Sequence, residues 1–264
     1  MEKKYKLTKE TINVFNKTLY RIEALRDFND VEKGDKGGFV EKEDNLSQSD
    51  NCWVYDNAQV YDYAKIRDNA KVFGDAKVYG EADVSDNAIV CGNAQVYDNA
   101  KVYGDVEVYG DVEVYDDAEV YGHAVVCGYT KVYGNAEIFG NAWVYDNAEI
   151  FDDAKIYDDA KIYGLAWVYR NAEVCGSAEV CGDARICADA KVESNGDYIV
   201  FKNWWSSGRY FTWTKSNDMW KVGCFYGTGK ELIDKAYRDS EISGREYERI
   251  VKYVETINND LEIM

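Results

Sequence analysis

The feature that most constrains this chain is a period of six. Val or Ile stands at every sixth position from Val54, Val60 and Ile66 through to Ile186 and Val192, 24 times in succession. From Val60 onward the residue two places earlier is Ala58, Ala64, Ala70 and so on to Ala190, replaced only by Val106, Val112 and Thr130. Side chains alternate across an extended strand, so Ala58 and Val60 point one way and Gln59 the other. The small and aliphatic residues are therefore the interior. Between strands come two residues drawn mostly from Gly, Asp and Asn, such as Asp56-Asn57, Gly74-Asp75, Gly104-Asp105 and Asp146-Asn147. These types tolerate positive φ and bond to their own backbone, as a tight corner every six residues requires. Three strands and three corners close a triangular coil of 18 residues, so the 24 hexads predict about eight coils. At ~4.8 Å per coil the prism is ~38 Å long.

The composition follows from this architecture. There is no proline, and there are 23 tyrosines, a bias expected of a repeated motif rather than a mixed core. The net charge is −18, of which −16 falls in residues 52–193, where 27 acidic side chains face 11 basic ones. Direct binding to nucleic acid through phosphate neutralisation is disfavoured. No apolar run approaches the ~20 residues of a membrane span, and MEKKYKLTKE lacks the apolar stretch of a signal peptide, so a soluble, cytoplasmic protein is expected. Cys175, Cys181 and Cys187 are six apart and fall on different sides. Cys91 and Cys127 share a side two coils apart, about 10 Å, too far for a disulfide. No CxxC spacing occurs, which argues against zinc; no metal or cofactor is expected.

The repeat resembles the left-handed β-helix hexapeptide (LpxA-like) superfamily, typified by UDP-N-acetylglucosamine acyltransferase. Left-handedness is implied by that resemblance. The stretches Ala24-Leu25-Arg26-Asp27-Phe28-Asn29-Asp30, Gly37-Gly38-Phe39-Val40, Asn45-Leu46-Ser47 and Cys52-Trp53-Val54-Tyr55 are similar to the start of YdcK-type β-helix proteins and of hexapeptide-repeat proteins of prophages. The expected fold is mainly β, a left-handed parallel β-helix with a small N-terminal β cap and a small C-terminal α+β domain.

Residues 1–51 are read as a hairpin cap and lead-in, 52–193 as the β-helix, and 194–264 as the C-terminal domain. In the cap, TINVF and TLYRIEAL form a hairpin around Asn16-Lys17 that covers the first coil and its unpaired strand edges. In the C-terminal domain, three antiparallel strands are expected at Asp197–Phe201, Tyr210–Lys215 and Met219–Phe225. Two helices follow, with capping boxes at Thr228/Glu231 and Ser243/Glu246. The second carries Tyr247, Ile250, Val251, Val254 and Ile257 on one face.

Family members that transfer acyl groups use a histidine base and bind acyl-CoA between subunits. His123 is the one histidine here; it fills a corner slot, Gly122-His123-Ala124, and no inserted loop interrupts the hexads to build a pocket. It reads as a turn residue rather than a base, and no catalytic residue is carried over from the family. Outward aromatics form a ladder, Tyr61, Tyr79, Tyr97, Tyr115, Tyr133, Phe151 and Tyr169, expected to stack for stability. Another outward column, Lys65, Asp83, Lys101, Glu119, Glu137, Lys155, Glu173 and Lys191, is a solvated mixed-charge face. A third holds Ile89, Val125 and Trp143 beside Cys91, Cys127 and Tyr145. It is the least polar side and is expected to contact a second subunit or the C-terminal domain.

From Val102 to Thr130 no Lys or Arg occurs, while Asp105, Glu107, Asp111, Glu113, Asp116, Asp117 and Glu119 crowd into little more than one coil. The band is expected to be uncompensated and self-repelling. It is either a surface for a basic groove, such as the nucleic-acid channel of a host protein, or drift in an Asp-rich turn motif. In the C-terminal domain Trp204, Trp205 and Arg209 head an aromatic cluster with Tyr210, Trp213 and Trp220. Adjacent Trp204 and Trp205 cannot both point inward from an extended strand, so one is exposed or docked. The sequence thus favours a non-enzymatic acidic interaction protein of phage or prophage type that engages and inhibits a host protein. The alternatives are a homotrimeric acyltransferase using acyl-CoA and a structural repeat protein.

Overall fold

The structure, a computed structural model, describes residues 3–205 and 207–262, with side chains as far as 258. A parallel β-solenoid runs through its middle. Three sheets stack rung on rung, and each rung is paired with those one coil before and after, as in Gln59↔Lys77 and Val60↔Val78. Side one holds the rungs from Gln59–Val60 to Arg185–Ile186, side two those from Lys65–Ile66 to Lys191–Val192, and side three those from Trp53–Val54 to Glu179–Val180. The interior alanines and valines have essentially no exposed surface, from Ala58 and Val60 to Ala190 and Val192.

The solenoid has about nine turns rather than eight. Lys36–Val40 pairs in parallel with the rung at Gln59–Val60, and Leu46 bridges Ile66, so part of the lead-in is itself a coil. Val40 lies opposite Val60, 20 residues on, whereas Val54 lies opposite Val72, 18 on. Two extra residues between Leu46 and Val54 break the count of six and hide this coil in the sequence.

Corners respond to the residue that follows them. Before alanine the corner is tight, with Ala58 N–H donating to Tyr55 O at 3.1 Å. Before the β-branched Val106, Val112 and Thr130 it opens into a bend. The side-three strands before the last two lengthen to four residues, Glu107–Gly110 and Val125–Gly128. Across the opened corner at Thr130 the side-chain hydroxyl donates to Cys127 O at 2.7 Å.

Both ends are finished by side chains. The N-terminal hairpin, Tyr5–Val14 with Lys17–Ala24, turns at Phe15-Asn16, both at positive φ, one residue earlier than the sequence suggested. Buried Lys4 donates to Asp50 O at 2.8 Å and Cys52 O at 2.9 Å, and buried Asn45 donates to Ala64 O at 2.9 Å. At the other end the last rung of each side receives an acceptor from the C-terminal domain. Asn195 Oδ1 takes Glu179 N–H at 2.7 Å, Thr212 Oγ1 takes Arg185 N–H at 2.9 Å, and Ser216 Oγ takes Lys191 N–H at 2.7 Å. Sheet edges that would otherwise template association are thereby capped.

The C-terminal sheet has four strands, Tyr198–Lys202, Tyr210–Thr214, Met219–Val222 and Phe225–Gly227, because the expected third strand folds back at Gly223, φ +55°. Helix α1 (Gly229–Asp239) has the predicted Thr228/Glu231 box. Helix α2 (Glu241–Glu262) begins before Ser243. Ser240 Oγ, not Ser243, accepts a first-turn N–H, that of Ser243 at 3.1 Å. Val251 and Val254 of α2 are buried against Phe211, Trp213 and Trp220.

Candidate interaction surface

The second residue of each corner forms ladders along the prism. Asn87 donates to Asp105 at 2.6 Å, Asn93 to Asp111 at 2.9 Å, Asn99 to Asp117 at 2.9 Å and Asn135 to Asp153 at 2.8 Å, each one coil on. The first corner residue, when Asp, sits at positive φ, and Asp56, Asp86, Asp146 and Asp158 accept the backbone N–H one coil on, as Asp116 does from Gly134 at 3.1 Å. Aspartate is thus a structural acceptor in both slots.

Ion pairs correct the expectation that the acidic band is uncompensated at Glu113 and Glu119, while its aspartates keep their charge but gain hydrogen-bond donors. Glu113 lies 3.2 Å from Lys131 Nζ and accepts from Tyr97 OH; Glu119 lies 2.7 Å from Lys101 Nζ and accepts from Tyr103 OH. Asp105, Asp111, Asp116 and Asp117 all accept hydrogen bonds. Among the described residues Glu107 is the one member of the band whose carboxylate has no partner, and it is exposed on side three.

Sorting the acids by corner brings out a ridge that neighbourhood in sequence conceals. The corner between sides one and two carries Asp62, Glu81, Asp98, Asp116, Asp117, Asp152, Asp153 and Asp189, against Arg170 in the corner itself and Lys17 of the N-terminal hairpin, which pairs with Asp62. Glu81, Asp98, Asp116 and Asp117 line one shallow depression on it. Of these, only Asp116 and Asp117 belonged to the sequence band; reading the chain in an 18-residue register would have found the rest. Cross-coil hydrogen bonds hold Asp116, Asp117, Asp152, Asp153 and Asp189 of this ridge in place.

The aromatic ladder stacks as expected, from Tyr61–Tyr79 at 5.0 Å to Phe151–Tyr169 at 4.8 Å, with rings near parallel. A second stack, not singled out from the sequence, runs Tyr103–Tyr121–Phe139–Tyr157 at 4.9 to 5.0 Å. Burial, then hydrogen bonding to Glu119, pushes the Tyr103 hydroxyl up to about 12. Lys4 is held below the ordinary lysine value, chiefly by burial.

His123 is exposed at its corner, with Nδ1 3.4 Å from Asp105 Oδ2. It lines none of the main surface depressions. On side three, Ile89, Cys91, Val125, Cys127 and Tyr145 are half-buried, while Trp143 is 48% exposed. The C-terminal domain meets this side at its last rung, where Tyr198 OH donates to Glu179 O at 2.8 Å and accepts from Cys181 N. Of the two contacts expected for this side, a second subunit or the C-terminal domain, the domain does not cover Trp143: it docks on the end of the prism, where unpaired rungs need partners. Trp204 is 81% exposed, while Trp205 packs between Phe211 and Tyr247. Arg209 is exposed, with its guanidinium beside Gly223.

All seven cysteines are free, and among the described residues no group of three or more His, Cys, Asp or Glu is placed to hold a metal ion. No helix of the described chain is long and apolar enough to cross a membrane. The chain matches no family model and no curated protein.

Proposed function

We propose that this chain is a non-enzymatic, cytoplasmic interaction protein of the left-handed hexapeptide class. It is of phage or prophage type, as its resemblance implies, and it engages and inhibits a host protein through a basic groove. The ridge between sides one and two carries this reading. Eight carboxylates lie along one edge; Asp116, Asp117, Asp152, Asp153 and Asp189 are already ordered by cross-coil hydrogen bonds, and Asp62 is paired with Lys17. Pre-ordered charge loses little freedom on binding, and an edge of one sign steers a partner of the other. The groove it fits is one that otherwise tracks a nucleic-acid backbone.

The test is capture from bacterial lysate at increasing salt, compared with a variant carrying Asp98→Asn, Asp116→Asn, Asp117→Asn and Asp152→Asn. The expected result is a nucleic-acid-binding partner whose retention falls steeply with salt and is lost in the variant. Retention unchanged by the four substitutions sinks the reading. Turnover of an acyl-CoA that vanishes in His123→Ala replaces it with the acyltransferase alternative.

A further inference from the structure

Side three carries a different message from the acidic ridge, and it does not depend on the reading above. On the solenoid the described residues include five exposed large apolar side chains. Tyr109 and Trp143 lie on side three, Tyr129 and Leu165 on the corner that follows it, and Tyr63 elsewhere. Tyr63 is covered by Lys42, whose ammonium lies 4.3 Å from the ring. Trp167, the outward tryptophan of side one, lies beneath the Arg185 guanidinium at 3.7 Å. Trp143 has no such cover and is 48% exposed. Contiguous uncovered apolar surface on a soluble chain marks an interface.

The order of residues up this side says what fits it. The central outward positions read Lys71, Ile89, Glu107, Val125, Trp143, Lys161, Glu179, one per coil. Stacked rings on the same side, Tyr145 and Tyr163, set the step at 4.9 Å. Consider a second copy laid face to face. If the two prisms run parallel about a two-fold, each level meets itself, so Glu107 faces Glu107, Lys71 faces Lys71 and Lys161 faces Lys161. Glu107 against Glu107 is the costly pair, because Lys71 and Lys161 keep Asp30 and Glu179 beside them. If the prisms run antiparallel, with the two-fold between the levels of Val125 and Trp143, Val125 packs on Trp143, Glu107 meets Lys161 and, at the margin of the patch, Ile89 lies across from Glu179, each contact occurring twice. Self-complementarity of this kind is what an isologous dimer requires.

Glu107 is also the carboxylate of its band left without a partner inside the chain, and it stands where the antiparallel copy supplies one. The rungs beneath are the four-residue strands Glu107–Gly110 and Val125–Gly128, whose opened corners extend the pairing across this patch.

We infer that side three is the interface of an antiparallel homodimer, centred on Val125 and Trp143 and set in register by Glu107 with Lys161 of the second copy. The patch is small, so the dimer dissociates on dilution.

Sedimentation across a range of concentrations tests this in the full chain. Because Lys161 also pairs with Glu179 within the chain at 3.1 Å, the charge series is built on Glu179→Gln. Wild type is expected to shift from monomer to dimer with concentration, and Trp143→Glu to remain monomeric with unchanged circular dichroism. Glu107→Lys and Lys161→Glu each weaken association about tenfold, and the two together restore it. Monomer at every concentration, a trimer, or a double variant no better than the singles overturns the proposal. Should Trp143→Glu fail to fold, the charge series decides alone, since Glu107 and Lys161 are exposed and outside the core.

Discussion

Asn99 donates its side-chain amide to Asp117 Oδ1 at 2.9 Å, one full coil further along the chain. The direction of that bond makes the two residues unequal. Asp117→Asn keeps an acceptor oxygen in place and should change stability by no more than a few tenths of a kcal/mol. Asn99→Asp removes the donor and sets two carboxylates against each other, for a loss of roughly 1–2 kcal/mol. Urea denaturation at neutral pH measures both, and the second loss should shrink once the carboxylates are protonated.

The end caps predict localised losses. Thr212→Val leaves Arg185 N–H without its acceptor, and Lys4→Met leaves Asp50 O and Cys52 O without their donor. Each should cost about 1–3 kcal/mol. Hydrogen exchange would show loosening confined to the coils at the altered end, and loosening spread evenly through the solenoid would contradict this account.

The tyrosine stacks predict an alkaline limit. Tyr61, Tyr103 and Tyr133 are pushed up to about 12, in each case first by burial; nearby Glu119 and Glu149 then act on Tyr103 and Tyr133. A group whose folded value lies above its unfolded one contributes stability that is complete below about pH 10, the unfolded tyrosine value, and is lost as pH rises towards the folded value. Unfolding followed by circular dichroism should therefore steepen between about pH 10 and about pH 12. Tyr103→Phe should flatten that limb while leaving acid behaviour unchanged.

Glycine at a corner answers two separable demands, positive φ and close approach of the next coil, and not every corner makes both. At Gly110, φ +92°, an added Cβ would lie 2.8 Å from Gly128 O, whereas at Gly182, φ +66°, it meets nothing within 4 Å. Gly182→Ala should cost only the backbone strain, about 1–2 kcal/mol, and Gly110→Ala distinctly more. Thermal melts of the two variants separate strain from collision.

Much of this architecture is local and so was legible in sequence. Alternation places Ala58 and Val60 inside, and the corner types follow from Asp56-Asn57 and Gly74-Asp75. The stack Tyr61–Tyr79 follows once the period is known, and the Thr228 cap needs only its own first turn. The first coil escaped because two residues inserted before Val54 break the count that revealed the others. The Ser243 box failed because α2 starts where α1 ends, at Ser240, and that junction is fixed by packing between the helices.

The amino-acid order by itself determined the tube, its interior and its net acidity, since these depend on residues six apart along one strand path. Only the tertiary structure decided which acids are neutralised, where the C-terminal domain sits, and that Trp205 is packed while Trp204 is not. Such outcomes depend on side chains a whole coil or a whole domain apart, as between Glu119 and Lys101 or Arg185 and Thr212. Their meeting is governed by stacking register and by the demand of unpaired rungs for partners, not by the local pattern.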